Sequence, residues 1–142
     1  MGLRRLAREC ALQMLYERDV GKHESDDVLD SFWAMNNHPE KVRDFANELF
    51  QGSVARLGEI DAIIQTHAEN WRIRRMAVVD RNILRLAVFE FLSGRRTPHT
   101  VVINEALEIA KKYSTVESAQ FVNGILDSIK SDLRKRSAEG KV

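Results

Sequence analysis

The first residues able to do chemistry are three arginines near the amino terminus. Arg4, Arg5 and Arg8 open a segment, residues 4–16, in which apolar residues recur at helical spacing. At about 100° per residue, the arginines fall within roughly one third of the helix circumference and the apolar residues gather on the other side. Guanidinium groups hold phosphates by paired hydrogen bonds and stack on unpaired bases. The segment predicts an amphipathic helix whose polar face could bind an anion, the alternative being a basic face that is only solvated.

The residues typical of enzymes and metal sites do not form a recognisable pattern. The four histidines are scattered, and no glycine-rich phosphate loop, Walker lysine or nucleophile elbow occurs. The single cysteine, Cys10, falls on the predicted buried side of the first helix, which favours a small core residue over a catalytic thiol. We therefore expect no catalytic residue, no metal, no cofactor and no enzymatic activity.

Charge is nearly balanced over the 142 residues but segregated along them. Lys and Arg number 22 and Asp and Glu number 21, yet residues 24–61 hold nine acids against three bases. Residues 69–96 hold seven arginines against three acids. The longest apolar stretch, residues 83–92, is interrupted by two charges and is shorter than the about 20 residues that a membrane span needs. Since no signal peptide is recognisable either, we expect a cytoplasmic protein with no membrane association.

Helical periodicity, with few Gly and Pro residues between the periodic segments, predicts an all-α fold. We expect one domain over residues 1–142, a compact helical bundle with a charged tail at about 135–142. The predicted helices span about 4–19, 26–36, Pro39 through Val54, Ile60 through Trp71, 79–93, 100–113 and Ser114 or Thr115 through Leu133.

The predicted helix at 79–93 is apolar nearly all round, which indicates a central helix with the others packed against it. Arg85 and Glu90 lie within it and must be paired or placed at its edge, because an unpartnered buried charge is costly. Asp80 and Glu117 each fall in the first turn of a helix, where a carboxylate interacts favourably with free backbone N–H groups. The spacing of Ser114 and Glu117 also predicts a capping box.

Four segments together resemble the NusB family of bacterial transcription antitermination factors. They are residues 4–16, 79–87, 103–113 and 121–127, in the family's order and at its spacing from about residue 4 to residue 130. The resemblance implies a seven-helix fold of two packed helical subdomains without enzymatic activity. It also implies a partner, the ribosomal protein NusE, with which the family binds single-stranded boxA RNA. In a complex with RNA polymerase and other Nus factors, such proteins promote read-through of terminators, notably in ribosomal RNA operons.

The resemblance also assigns roles to individual positions. The residues it places toward RNA are Arg4, Arg5, Arg8 and Phe121, with Gln13 and Lys111 as weaker candidates. Those it places toward NusE are Tyr16, Asp80 and Glu117. For Phe121 the alternative is a core position, since it lies at the edge of an apolar arc, and for Gln13 and Lys111 it is ordinary polar surface. Gly124 interrupts a helix at a cost of about 1 kcal/mol relative to Ala, for which close helix packing and close approach of RNA are both explanations.

Three departures from the family pattern and two rival functions accompany this hypothesis. Leu6 interrupts what is often an unbroken arginine run, Phe89 replaces a common tyrosine, and residues 20–40 are not diagnostic. One rival is the NusB-like domain of a ribosomal RNA methyltransferase, for which 142 residues leave no room for a catalytic domain. The other is a helical module that binds only protein. The sequence leaves open whether the chain forms a homodimer.

Overall fold

A computed structural model describes residues 2–94 and 97–138. Within these residues the chain forms seven α-helices and no strand, which confirms the all-α prediction. The helices are α1 (Leu3–Gly21), α2 (Ser25–Met35), α3 (Glu40–Ala55), α4 (Leu57–His67), α5 (Val78–Leu92), α6 (His99–Tyr113) and α7 (Val116–Ala138). A short 3₁₀ turn, Ile73–Arg75, precedes α5.

Local sequence explains most helix ends. Pro39 and Pro98 immediately precede α3 and α6, and Gly94 follows α5 with a φ of +74°, a conformation that glycine adopts without strain. The predicted capping box at the start of α7 is wrong. Thr115 caps this helix, because its hydroxyl oxygen accepts the Ser118 backbone N–H at 3.0 Å.

Helix α5 is the centre of the molecule, as its apolar character predicts. It contacts α1, α3, α4, α6 and α7, while α2 packs beside α1 and α3. The α3–α5 contact is close at Gly52, where the ring of Phe89 occupies the space that a Cβ atom would take. The seven helices share one apolar core, which leaves α1 at the surface with one face buried.

The chain leaves the helical path earlier than predicted at the end of α4. Helix α4 ends at His67, and Trp71 lies in the connection to α5 instead of on the helix. The side-chain amide of Gln65 donates to the carbonyl oxygens of Ala68 and Trp71, and its oxygen accepts the Ile73 N–H. Because these bonds satisfy the backbone groups of the connection, the helix can stop without a Gly or Pro signal.

A network of charges fastens the carboxyl end of α1 to α5. Asp19 accepts hydrogen bonds from Arg81 at 2.7 and 2.8 Å, from Asn82 at 3.0 Å and from Arg85 at 2.9 Å. Arg85 also forms a two-bond pair with Asp61 of α4. The expectation that Arg85 is paired is confirmed. Burial alone would raise the pKa of Asp19, but the hydrogen bonds and the arginine charges lower this pKa to about 2.

The structure also bears on the expected charged tail and on the expected lack of a membrane span. Helix α7 continues through Ala138, into the segment predicted to be a charged tail, and residues 139–142 lie outside the described residues. Over residues 2–94 and 97–138, no helix combines the length and the apolar character needed to cross a bilayer.

The low pKa of Asp19 predicts a pH-dependent contribution to stability. Since the pKa rises from about 2 in the folded chain to 3.8 when unfolded, the contribution is fully present above about pH 4 and disappears as the pH falls through 2. With partial solvent screening, Asp19→Asn should lower the free energy of unfolding at pH 7 by about 1 to 2 kcal/mol.

Urea unfolding followed by circular dichroism at several values between pH 7 and pH 2 measures this effect. The difference between Asp19→Asn and the unsubstituted protein should shrink below pH 4. The control is Asp44→Asn, an exposed carboxylate on α3, which should give a small difference at every pH. A constant difference for Asp19→Asn over this range would contradict the assignment.

Candidate nucleic-acid and partner interface

All three α1 arginines line an open cleft at the amino end of the helix, but only Arg4 and Arg5 expose much of their side chains to it. Arg4 is exposed and donates to the hydroxyl of Thr97 at 3.3 Å. Arg5 is half-buried and holds Glu105 of α6 through two bonds, of 2.6 and 3.0 Å. This basic cleft, of about 800 Å³, is lined by Gly2, Arg4, Arg5, Arg8, Thr97, Pro98, Val101 and Glu105. Both a phosphate and a flat base could approach it from solvent.

Arg8 differs from its two neighbours because it is a buried structural residue. Its guanidinium binds both carboxylate oxygens of Glu90 at 2.7 and 2.9 Å, and the two side chains are only 5% and 2% exposed. Its paired N–H groups therefore face a carboxylate inside the protein. The expectation that all three arginines share one anion-binding face is corrected: packing of α1 on α5 turns Arg8 inward. The pairing expected for Glu90 is confirmed.

Glu105 is a carboxylate of the cleft that sequence reasoning missed. Its hydrogen bond from Arg5 lowers the pKa of its carboxyl, and the same bond raises the pKa of Arg5. One nitrogen of Arg8 also lies 3.7 Å from it. Since Glu105 stands 100 positions after Arg5, no local spacing could have revealed the pair. Its effect is to hold Arg5 in one orientation while cancelling part of the cleft's positive charge.

A second surface lies farther along α1 and is mainly apolar. This apolar groove, of about 600 Å³, is lined by Leu12, Gln13, Tyr16, Glu17, Val20, Gly21, Val79 and Tyr113. Tyr16 and Val20 are 42% and 53% exposed, so the groove presents apolar area to solvent. Gln13 is exposed at its edge. Exposed aromatic area of this kind is typical of protein interfaces.

A buried carboxylate joins the cleft to the groove. One oxygen of Glu9 accepts from the Lys112 ammonium at 2.9 Å and from the Tyr113 hydroxyl at 2.7 Å, while its other oxygen is buried without a hydrogen-bond partner among the described residues. Burial and the neighbouring Glu9 raise the pKa of Tyr113. With Arg5–Glu105, these bonds fix α6 parallel to α1. No spacing in the amino-acid sequence indicated this cluster either.

The two acids expected at the partner surface occupy different environments. Glu117 is exposed in the first turn of α7. Asp80 is only 6% exposed: one of its oxygens accepts from the Ser118 hydroxyl at 3.0 Å, and the other is buried without a hydrogen-bond partner in the described part of the chain. Asp80 therefore holds the start of α7 against the start of α5. In the chain as it stands, its carboxylate is not a free surface charge.

The remaining candidates lie on α6 and α7. Lys111 is exposed, with Glu108 3.9 Å away one turn earlier. Phe121 is half-buried at the edge of the core, as its arc position predicts, and its ring meets that of Trp71 edge to face at a centroid distance of 6.3 Å. A Cβ atom at Gly124 would meet no atom within 4 Å, so close helix packing does not explain this glycine.

Cys10 and His67, residue types that often serve in enzyme active sites, occupy positions within the packed fold. Cys10 is 3% exposed, and burial raises the pKa of its thiol to about 11. His67 lies at a helix–helix boundary, where its Nδ1 is 2.7 Å from the Ser128 hydroxyl. Among residues 2–94 and 97–138, no three His, Cys, Asp or Glu side chains are grouped to hold a metal ion.

The buried Arg8–Glu90 pair predicts a large stability effect. Glu90→Gln should lower the free energy of unfolding by about 3 to 5 kcal/mol, because it leaves the Arg8 charge buried without its counter-ion. The matched control is Glu59→Gln, which removes a carboxylate from the exposed pair with Arg56 and should change the stability far less, because solvent screens that pair. Urea unfolding measures both, and equal effects would show that the Arg8–Glu90 pair is not energetically special.

Sequence and structure comparisons identify the relatives of this chain. The sequence model of the NusB family matches residues 5–131. The transcription antitermination protein NusB of Koribacter versatilis (strain Ellin345) is 53% identical over 133 residues, which cover 93% of this chain and 91% of that protein.

Solved structures agree with the sequence match. T. maritima NusB superposes with a TM-score of 0.81 at 35% identity, covering 91% of this chain and 90% of that chain. A chain from the crystal structure of antitermination factors NusB and NusE in complex with dsRNA superposes with a TM-score of 0.82 at 30% identity, covering 93% and 98%. The resemblance inferred from the four sequence segments is therefore confirmed, and this chain belongs to the NusB family.

Proposed function

We propose that this protein is a non-enzymatic transcription antitermination factor that binds single-stranded boxA RNA together with NusE. The observation that carries the proposal is the division of one helix, α1, into a basic cleft and an apolar groove. A solved structure to which this fold is similar contains NusB and NusE in complex with double-stranded RNA, which supports a role with RNA and NusE as partners. Joined to RNA polymerase and other Nus factors in the cytoplasm, the protein would promote read-through, notably of ribosomal RNA operons.

In the basic cleft, Arg4 and Arg5 are the residues suited to contact RNA directly. Among the described residues, Arg4 is held by a hydroxyl and by the face of the Phe45 ring, so it can turn toward a phosphate at small cost. Arg5 is held by Glu105 in a fixed orientation but remains 36% exposed. Arg8 acts behind them: its pair with Glu90 fixes α1, and it completes the cleft wall. Gln13 and Lys111 extend the polar surface, and Phe121 supplies a ring for stacking.

In the apolar groove, Tyr16 is the central contact proposed for NusE. Its exposed ring is flanked by aliphatic side chains and by Tyr113, a combination that releases ordered water when a partner covers it. Glu117 adds an exposed negative charge, which suits a basic ribosomal protein. Asp80 contributes by fixing the start of α7, and its unpaired oxygen can accept a bond if the partner reaches it.

The RNA assignment predicts a specific loss of affinity. The double variant Arg4→Ala with Arg5→Ala should weaken binding of a labelled single-stranded boxA RNA, in the presence of NusE, by about tenfold or more. Each lost phosphate contact should also reduce the slope of log affinity against log salt by about 0.7. Fluorescence anisotropy at several salt concentrations measures both quantities.

The control for this experiment is Arg136→Ala, which removes an exposed arginine at the far end of α7. It should leave the affinity and the salt slope nearly unchanged. If the α1 double variant binds RNA as tightly as the control, the basic cleft is not the RNA site. If the unsubstituted protein with NusE binds no RNA, the chain is a module that binds only protein.

The partner assignment predicts that Tyr16→Ala and Glu117→Lys each weaken association with NusE in the absence of RNA. We expect an increase in Kd of about tenfold or more for each, measured by isothermal titration calorimetry. Asp30→Lys, an equal charge change at an exposed position of α2, is the matched control and should have little effect. Unaltered dissociation constants for both test variants would remove the α1 groove and the start of α7 from the partner surface.

A further inference from the structure

The connection between α4 and α5 carries an exposed tryptophan followed by three exposed arginines. Trp71 is 55% exposed, although indole is among the most costly side chains to leave in water. Arg72, Arg74 and Arg75 follow it, and all three are exposed. Glu69 is the only acid of the connection. The proposed contacts of α1 do not use any of these residues.

The backbone of this connection is fixed in place. The Gln65 side chain bonds to three backbone groups of the connection, including the carbonyl of Trp71 at 2.8 Å. Within the 3₁₀ turn, the Arg75 N–H donates to the Arg72 carbonyl at 2.8 Å. Ile73 packs against the core and Met76 is buried, which anchors the turn from below. The tryptophan and the arginines are therefore presented in a defined arrangement, which lowers the entropy lost on binding.

The arginines of this connection are not paired with carboxylates of the described residues, whereas Arg81 and Arg85 of the same basic segment are. Residues 69–96 hold seven arginines, of which Arg81 and Arg85 are committed to Asp19 and Asp61. Arg95 and Arg96 lie outside the described residues. The side chains of Arg72, Arg74 and Arg75 make no hydrogen bond or ion pair with any described residue. Their positive charge is therefore not neutralised by a described carboxylate. In contrast, Glu105 and Glu90 neutralise Arg5 and Arg8.

The ring of Trp71 packs against Phe121, the aromatic residue that the family resemblance places toward RNA. Trp71 meets Phe121 edge to face, with an interplanar angle of 81°. Gly124 lies three residues after Phe121, about one turn along α7, and leaves the helix surface bare there, because nothing lies within 4 Å of where a Cβ would be. Two rings, a bare stretch of helix and three free guanidinium groups form a surface that suits unpaired bases and their phosphates.

We propose that Trp71 and Phe121 form a stacking platform for unpaired bases of a single-stranded RNA, with Arg72, Arg74 and Arg75 binding the adjoining phosphates. This inference rests on the proposed RNA-binding function and adds a second contact region to the basic cleft. A protein partner would match the exposed tryptophan, but three unneutralised arginines within four consecutive residues favour a polyanion.

The intrinsic fluorescence of the protein tests this proposal directly. The chain has two tryptophans, Trp33 and Trp71, so Trp33→Phe leaves Trp71 as the single probe. Titration of this variant and NusE with unlabelled single-stranded boxA RNA should quench the fluorescence of Trp71 in step with binding measured by anisotropy. Tryptophan in NusE is replaced by phenylalanine or its signal subtracted. In the mirror variant Trp71→Phe, the fluorescence of Trp33, which donates to Asn47 on α3, should be unchanged by RNA.

Affinity measurements provide the second readout. Trp71→Ala should weaken RNA binding by about tenfold, the usual effect of losing one base–aromatic stack. Arg72→Ala combined with Arg74→Ala should lower the slope of log affinity against log salt by about 1.4. Circular dichroism should remain helical in both variants, because the Gln65 side chain, and not these side chains, holds the backbone of the connection. Arg136→Ala again serves as the control.

The outcomes separate this inference from the proposed function. RNA binding that is intact in the Trp71 and arginine variants, with no quenching of Trp71, overturns the platform and leaves the basic cleft standing. Loss of NusE binding in Trp71→Ala without RNA overturns it in favour of a protein contact. If the unsubstituted chain with NusE binds no RNA, the proposed function itself fails and the platform with it.

Discussion

The position of α1 depends on the buried ion pair between Arg8 and Glu90. Two bonds of 2.7 and 2.9 Å join the guanidinium to the carboxylate where water is excluded, and only one rotation and register of α1 on α5 allows both. At the other end of the helix, Asp19 binds Arg81 and Arg85. These two attachments hold α1 antiparallel to α5. They decide which of its side chains reach the basic cleft, the apolar groove and the core.

The same packing distributes positive charge unevenly over the surface. Carboxylates from α4, α5 and α6 neutralise arginines that are far from them in sequence, so a count of basic residues overstates the charge available to a ligand. Arg8 and Arg85 serve the fold, Arg5 is shared with Glu105, and Arg4 and the arginines after Trp71 face solvent. Only Arg4 and the arginines after Trp71 attract an anionic ligand with their whole charge, because the other guanidinium groups are already paired with carboxylates.

One exposed strip therefore combines several kinds of surface. Along α1 the basic cleft passes into the apolar groove, with Glu9, Lys112 and Tyr113 between them. The order of side chains on one helix thus sets the order of the two surfaces. A rigid α-helical frame suits an adaptor, since two partners can be held at a fixed separation without any moving part.

The amino-acid sequence by itself determined the helical fold, the central position of α5, the proline and glycine positions that separate the helices, and the family. These properties follow from local periodicity and backbone preference, which residues near one another in the chain decide. Only the tertiary structure decided that Arg8 and Asp80 are buried, that Glu105 lines the basic cleft and Glu9 binds Lys112 and Tyr113, and that Trp71 leaves its helix for solvent. The burial and the pairing depend on partners that are distant in the sequence. The end of α4 depends on the Gln65 side chain, which makes hydrogen bonds that the helix backbone would otherwise make. Whether a charge is free or neutralised is a property of packing in three dimensions, so no spacing along the chain could reveal it.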